Sequence, residues 1–479
     1  LLVILASFVL PCFWPAHSIM HFGDRHTMNP AKEVGFYVDT LRYFSALRQA
    51  RQGNYRKTQD KKLREIVKHA YDNVELYRWK YKQAGIHPND IQTADDLARL
   101  PVITRQDLID GFPEAILARN FKAEDCRLVA TSGSTGMPIK VYKDLTLLRQ
   151  GALATLVTHK VVKRQLGINV KPGILAVLVE TPDSLEAVMA DEVFKLPRFL
   201  TRAYHTVSAT ESTEAHLRAL AEHKPDTLLT YPSVLRNLAI VARDEGISVH
   251  QPKVLAVSAE LLDEHTKRLI GRVFKGEIVN IYASTEGGTM AMECGQHRGL
   301  HVSSSSIILE LVKDGRPVAP GEPGNVVLTN LANRSTPIIR YSGMGDVAVY
   351  DSQECPCGSK LPLLKVIEGR IIDSLVMPDG HLVHPFTLTL ALEHIPMIAR
   401  FQIVQEHSSS VRTLIVMDKQ AEDSPSSNHL NICERTCQSL KDVLGDSIQI
   451  KVDLVEDIPE SRQPGYHTVK SLVARQGRG

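Results

Sequence analysis

Thr131-Ser132-Gly133-Ser134-Thr135-Gly136-Met137-Pro138-Ile139-Lys140 is the stretch of this chain best suited to hold a phosphate. Two glycines stand among hydroxyl residues, and Gly tolerates the positive φ and close approach that turn successive N–H groups onto an anion. The hydroxyls add donors and Lys140 adds positive charge. The G-x-x-x-x-G-K-[ST] spacing is absent, so this is no Walker A loop. An ordinary Ser/Gly turn has the same composition, and the loop alone leaves both readings open. Glu286, in Tyr282-Ala283-Ser284-Thr285-Glu286-Gly287-Gly288, offers a carboxylate of the kind Mg²⁺ takes beside phosphate oxygens. Cys294, His297, His301, Cys355 and Cys357 form a second constellation. Zn²⁺ in a structural site takes four N/S ligands in a tetrahedron; clustered free cysteines are the alternative.

Several elements must position these groups. Leu128-Val129-Ala130 reads as a strand end feeding the loop, and the apolar spacing from Asp60 to Gln83 is helical. Thr93 caps a further helix start. After the loop, strands at Gly173–Leu178, Thr227–Tyr231, Val254–Ser258 and Ile278–Tyr282 alternate with helices at Glu211–Glu222, Leu235–Asp244 and Glu264–Val273. That alternation argues a mostly parallel sheet covered on both faces. Ligands sit beyond the carboxyl ends of such strands. Tyr231-Pro232-Ser233, Ser258-Ala259-Glu260 and the Tyr282–Glu286 turn all fall at that edge. Beyond Leu300 the pattern turns to β, at Ile307–Val312, Gly324–Thr329 and Val347–Tyr350. From Gly369 a smaller segment carries strands at Phe401–Val404, Val411–Val416 and Ile448–Val455, a helix at Asn431–Leu444 and a polar break from Ala421 to Ser427.

With 479 residues, at least two domains are expected. A net charge of +2 argues against nucleic acid or an acidic membrane surface as partner. Seven cysteines in so long a chain are no disulfide framework and suit a reducing, cytoplasmic compartment. The apolar start, Leu1 to Phe13, is too short to span a membrane, and no Lys or Arg precedes Arg25. Translation is expected to begin at Met20 or Met28, leaving residues 1–27 outside the fold; a cleaved export signal is the alternative.

The loop resembles the phosphate loop of the adenylate-forming superfamily (acyl-CoA synthetases, adenylation domains, firefly luciferase), and most of all its phenylacetate-CoA ligase branch. Further resemblances run from about Lys61 onward, including Leu100-Pro101-Val102-Ile103-Thr104-Arg105-Gln106-Asp107-Leu108 ahead of the loop. The resemblance implies that Thr131 to Gly136 and Lys140 hold phosphate, that Glu286 holds Mg²⁺ and that Thr285 bonds phosphate or the acyl carboxylate. It adds Tyr282, Ser258, Ala259 and Glu260 to the nucleotide site. Arg340-Tyr341-Ser342-Gly343-Met344-Gly345-Asp346 resembles the motif whose Asp takes both ribose hydroxyls, although it is one residue longer than usual. Gly369-Arg370-Ile371-Ile372-Asp373 resembles the hinge motif, with Arg370 suited to phosphate or ribose and Ile372 replacing the pivot Asp. The branch's Cys…Gly-x-His and Cys-x-Cys-Gly pattern favours Cys294, His301, Cys355 and Cys357 as a structural zinc set.

One departure bears on turnover. The lysine expected after the Pro464-Gly465 turn is Tyr466 here, leaving Lys470 and Lys451 as candidates for its place. His205 is read as a surface or core histidine, with a place near the acyl carboxylate as the alternative. Cys433 and Cys437 are read as packing residues, and Cys12 and Cys126 have no visible partner. The expectation is an α/β fold: a large multi-layer N-terminal adenylate-forming domain over residues 28–368, with a zinc-binding insertion near 294–357, and a small α+β C-terminal domain over 369–479. Its function would be ATP·Mg²⁺-dependent activation of a small carboxylic acid and transfer to coenzyme A, in a chain that forms a homodimer. Transfer to an amine or carrier thiol, or a non-catalytic nucleotide binder, are the alternatives.

Overall fold

The computed structural model describes residue 45 and residues 53–131, 137–156, 166–171, 173–178, 183–195, 204–393, 395, 397–418, 429–458 and 468–473. The expectations for Cys12, Met20, Met28, Ser132, Gly133, Ser134, Thr135, Gly136, Pro464, Gly465 and Tyr466, and for the break from Ala421 to Ser427, lie outside the described residues.

Where one helix was expected there are two, α1 (Arg56–Asn73) and α2 (Glu75–Gln83). Val74 between them is extended at φ −117°, ψ 122°. Leu63, Ile66, Val67, Ala70, Val74 and Tyr77 are nevertheless all buried. The apolar spacing reported the core-facing side, to which a one-residue break is invisible. The helix expected after Thr93 is a 3-10 stretch, Ala94–Arg99. In α3 (Arg105–Asp110), Thr104 and Asp107 cap each other reciprocally.

β1 (Cys126–Ala130) and β2 (Lys140–Asp144) pair as an antiparallel hairpin, so the loop expected to hold phosphate joins two strands. There follow α4 (Leu145–Leu156), β3 (Ile174–Leu178), α5 (Leu185–Phe194), β4 (Tyr204–Ser208) and α6 (Thr213–His223). Next come β5 (Thr227–Thr230), α7 (Pro232–Asp244), β6 (Val254–Ser258), α8 (Glu264–Val273) and β7 (Glu277–Ser284). The strands β4-β3-β5-β6-β7 are parallel. Leu175 and Val177 of β3 pack under α6, α7 and α8, while Ile174 and Ala176 pack with Ala152 of α4 and Val193 of α5. Both faces are thus covered, which is why the strand reads Ile-Leu-Ala-Val-Leu without polar alternation.

The sheet then continues antiparallel through β8 (Gly288–Glu293), β9 (Leu300–Val302), β10 (Ile307–Lys313), β11 (Arg316–Pro317), β12 (Pro323–Asn330), β13 (Ile338–Tyr341), β14 (Asp346–Tyr350) and β15 (Leu363–Arg370). Among the described residues thirteen strands form this sheet, ordered β11-β10-β12-β14-β15-β9-β8-β7-β6-β5-β3-β4, with β13 on β12. Two hairpins, β7–β8 and β14–β15, therefore lie close together with only β9 between them.

A 3-10 turn, Ile371–Asp373, leads out of β15. Beyond it lie a ribbon of β16 (Leu375–Val376) and β17 (Leu382–Val383), α9 (Pro385–Leu392), β18 (Ile398–His407), β19 (Ser410–Met417), α10 (His429–Leu444), β20 (Gln449–Leu454) and β21 (Val469–Ser471). These elements have their own sheet, β20-β19-β18-β21, and their own core around Phe401, Ile403, Ile415, Ile432 and Leu440. They dock on α7 and α8, where buried Asp418 pairs with Arg243 at 2.8 Å and Arg272 at 2.6 Å. His265 Nε2 also meets the Leu392 carbonyl at 2.7 Å.

Candidate active site

Thr131 closes the mouth of the β1–β2 loop. Its N–H donates to the Ile139 carbonyl at 2.9 Å, and its hydroxyl accepts from the Ile139 N–H at 3.0 Å. Along β2 the side chains alternate: Val141 and Lys143 are buried, whereas Lys140 is exposed. The Lys140 ammonium lies 5.7 Å from the centre of the Phe112 ring, on the face of the hairpin opposite Lys143. Lys143 is 3% exposed. Burial pushes its ammonium down to about 8, against the pull of Glu286 and Asp144.

At the carboxyl end of β6, the Ser258 hydroxyl donates to the Ile281 carbonyl at 2.8 Å. Ala259 has φ 69°, a left-handed conformation that costs a residue with a Cβ about 1 kcal/mol. Glu260 accepts from the Ser233 N–H at 2.9 Å and the Ser233 hydroxyl at 2.8 Å. Its carboxylate thus satisfies the N-terminus of α7, where orphan donors and the helix dipole favour an anion.

The turn between β7 and β8 presents Thr285 and Glu286. Glu286 is 4% exposed. The turn is held by the Gly287 N–H donating to Ser284 Oγ at 2.9 Å and by Asn330 Nδ2 donating to the Glu286 carbonyl at 3.0 Å. Two residues before that turn lies Tyr282-Ala283, and the Tyr282 hydroxyl donates to Asp346 Oδ2 at 2.6 Å. Asp346 is the cross-strand partner of Arg370, whose Nε lies 3.9 Å from Asp346 Oδ1. Burial pushes the Asp346 carboxyl up to about 6, although Tyr282 and Arg370 both favour its ionised form. Burial, with the Asp346 carboxylate beside it, holds the Tyr282 phenol well above its usual range.

The 3-10 turn after Arg370 is anchored by the Ile371 N–H donating to the Gly345 carbonyl at 2.7 Å. β21 lies against that turn, so Lys470 stands on the edge strand nearest it, where it is exposed. Lys451 is on the opposite edge strand and pairs with Asp453 at 3.3 Å. Three strand spacings, about 14 Å, separate the two lysines.

The thiols and one imidazole gather elsewhere. Cys294, His301, Cys355 and Cys357 place one donor atom each within 4.8 Å of one another. Cys294 Sγ is 3.6 Å from Cys355 Sγ, and Cys357 Sγ is 3.3 Å from His301 Nε2. Tetrahedral zinc has S···S edges of about 3.8 Å and S···N edges of about 3.6 Å, so the four donors fit that ion closely. His297, the other histidine the spacing left open, pairs with Glu277 at 2.6 Å and Glu293 at 3.2 Å. Cys294 follows β8, and Cys355 and Cys357 lie between β14 and β15. The cluster therefore joins the two hairpins at the ends away from Glu286, Asp346 and Arg370. The length of β14, about 14 Å, separates it from Asp346.

His205 lies near the start of β4, stacked on His223 with ring centres 3.9 Å apart. Four strand spacings, about 19 Å, part β4 from β7. Cys126, Cys433 and Cys437 are free thiols. Sequence reasoning missed Lys143 and Asn330, and placed Ser233 at the sheet edge without its bonds to Glu260. A charged residue in register with inward Val141 was the available signal for Lys143; Asn330 acts through a tertiary partner and left none.

Residues 375–471 match a family described as the CapK C-terminal domain. The phenylacetate-coenzyme A ligase of Thermus thermophilus is 26% identical over 364 residues, 73% of this chain and 78% of that one. The enzyme of the same name from Escherichia coli is 25% identical over 428 residues, 84% of this chain and 92% of that one. A crystal structure of a 2-hydroxyisobutyryl-CoA ligase in the postadenylation state, with R3-HIB-AMP, matches with a TM-score of 0.74 at 20% identity, covering 88% of this chain and 90% of the other. The fold is that of the adenylate-forming enzymes. Within that class, the chain is similar to the phenylacetate-CoA ligases.

Proposed function

We infer that this chain is an AMP-forming acid–CoA ligase. A carboxylate oxygen of the acid attacks the α-phosphorus of ATP, the bond to pyrophosphate breaks, and an acyl-adenylate forms. The sulfur of coenzyme A then attacks the acyl carbonyl, AMP leaves, and the thiol proton passes to solvent. The observation that carries this reading is the convergence of Tyr282, Glu286, Asp346 and Arg370 on one end of neighbouring hairpins. It occurs in a chain related to phenylacetate-CoA ligases over most of their length.

In this reading Asp346 takes the ribose hydroxyls, with Tyr282 holding its second oxygen, and Arg370 meets ribose or phosphate. Ser258, Ala259 and Glu260 shape the adenine side, Glu260 by fixing the start of α7. Thr131 to Gly136 and Thr285 take phosphate or the acyl carboxylate. Buried Glu286 would hold Mg²⁺, which would neutralise charge on the phosphates. Lys470 supplies the α-phosphate cation from the C-terminal domain, over residues 369–479. Cys294, His301, Cys355 and Cys357 would hold a structural zinc, closed because all four positions are protein ligands. Free thiols support a cytoplasmic location, and a homodimer belongs to the same proposal. Among the described residues no helix is long and apolar enough to cross a membrane.

The test is pyrophosphate release across a panel of carboxylic acids, with and without coenzyme A. Acid-dependent release with formation of an acyl-CoA is expected. Absence of release with every acid sinks the ligase reading, and release without thioester moves the acceptor to an amine or a carrier thiol.

A further inference from the structure

The four residues that fit zinc stand where the two hairpins of the site join. Cys294 follows β8 and His301 lies on β9, while Cys355 and Cys357 lie between β14 and β15. Among the described residues two ladder pairs, Leu363–His301 and Leu364–Leu300, join β15 to β9. The Val302 N–H adds a bond to the Pro362 carbonyl at 2.9 Å. The strands approach closely there: a Cβ on Gly299, at φ 147°, would lie 2.2 Å from the Leu364 carbonyl oxygen. The cluster crosses this short seam twice, from Cys294 Sγ to Cys355 Sγ at 3.6 Å and from His301 Nε2 to Cys357 Sγ at 3.3 Å.

Toward Asp346 the seam opens. From Lys365 to Arg370 no ladder pair joins β15 to β9 among the described residues, and β15 stays paired to β14 on its other edge. The Tyr282 hydroxyl crosses the gap to Asp346 Oδ2 at 2.6 Å. Tyr282 is tied to the cluster along one row of the sheet: it pairs with Ala291, and Ala291 pairs with Val302, the residue after His301. On the other hairpin, β14 runs from Asp346 to Tyr350 and on toward Cys355. The hairpins thus form two arms that meet at the four donors and face each other at Tyr282 and Asp346. With arms of about 14 Å, a change of about 5° in the angle between them moves Asp346 by roughly 1 Å. A hydrogen bond of 2.6 Å stretched by that much is lost.

We propose that Cys294, His301, Cys355 and Cys357 are positioning residues for the nucleotide: a metal ion held by them fixes the spacing of Tyr282 and Asp346, so that metal and nucleotide each strengthen the binding of the other. This rests on the readings of the cluster as a zinc site and of Asp346 as the ribose acceptor. Thiols are weak donors and weak acceptors, so without metal the seam is left to its few backbone bonds. Four bonds to one ion cross-link it. A carboxylate already held in place needs less ordering when the nucleotide arrives, which raises affinity. Such coupling is reciprocal, because linkage requires both ligands to gain by the same factor.

Calorimetric binding of AMP to the full chain, metal-free after dialysis against a chelator and then reloaded with zinc, tests this. AMP should bind roughly fivefold or more tightly to the zinc-loaded protein. Competition with a chelating dye should show zinc held more tightly by the same factor when AMP is saturating. His301→Ala should weaken AMP binding as metal removal does, and His301→Cys, which keeps four ligands, should recover most of the loss. Equal AMP affinity with and without zinc in folded protein overturns the proposal. If the metal-free protein unfolds, wild type loaded with Co²⁺ supplies the readout: AMP should shift the absorption bands of the ion, and bands indifferent to AMP overturn the proposal. Zinc-loaded protein that binds no AMP removes the nucleotide reading, and protein that takes up no zinc removes the metal reading; each overturns the coupling as well, and the two results are distinct from a folded protein whose two sites ignore each other.

Discussion

Asp346→Asn should move stability and nucleotide binding in opposite directions. In the folded protein burial raises the Asp346 carboxyl from 3.8 to about 6, so the ionised side chain disfavours folding. The penalty is complete above about pH 6 and is relieved as pH falls from 6 toward 3.8, because the folded state there binds the proton more tightly than the unfolded chain. A difference of about two pH units corresponds to at most about 3 kcal/mol at pH 7.5. Asn is nearly isosteric, uncharged and still able to accept the Tyr282 hydroxyl. Asp346→Asn should therefore raise the midpoint of denaturant unfolding at pH 7.5, and the gain should vanish near pH 4. ATP affinity should fall, because an ionised acceptor contributes about 1.5–3 kcal/mol to its hydrogen bonds. Wild-type affinity relative to the variant should also drop roughly tenfold between pH 7.5 and 5 as Asp346 takes up its proton. The titration of ATP itself is common to both proteins and cancels in that ratio. Isothermal titration at the two pH values and urea unfolding across the range supply both readouts. A variant that binds ATP as tightly as wild type, or a ratio indifferent to pH, would refute the ribose assignment.

Purified protein should carry about one zinc per chain, and Cys355→Ser with Cys357→Ser should lower the melting temperature, because a closed zinc site contributes folding energy; elemental analysis finding no metal counts against the site. Lys470→Ala should reduce acid-dependent pyrophosphate release by roughly tenfold or more, while transfer from a synthetic acyl-adenylate to the acceptor survives; undiminished release would mean that another cation serves. Asp418→Asn removes the charge that joins Arg272 to Arg243, leaving Arg243, only 8% exposed in its side chain, with Asp244 alone. It should cost about 2–3 kcal/mol in urea unfolding; an unchanged midpoint would show that the Asp418 pairs do not stabilise the docking of the C-terminal segment.

The parallel strands and their helices were legible because their signals are local. A strand buried on both faces must be apolar throughout, as β3 and β6 are, and the helix predicted at Glu264–Val273 stands at those residues. Boundaries set by partners were not legible. The break at Val74 keeps the apolar period intact, so only the hydrogen-bond ladder registers it. The strands β10, β12 and β14 were readable one by one, while β11, β13 and β15 were not. That they extend the same sheet as β3–β7 depends on pairings between residues far apart in the chain.

The residue types by themselves determined that this chain could cradle phosphate, hold a divalent cation at Glu286 and gather sulfur and nitrogen ligands, because those abilities belong to side-chain chemistry. Only the tertiary structure decided which groups meet. His301 joins the three thiols through the pairing of β9 with β15, while His297 turns to Glu277 and Glu293. Lys143 turns into the protein and Lys140 lies by Phe112 because side chains on one strand point alternately to opposite faces. Tyr282 reaches Asp346 across 64 residues because two hairpins lie close in one sheet. Composition and spacing carry no record of register, and register brings the charges of this site together.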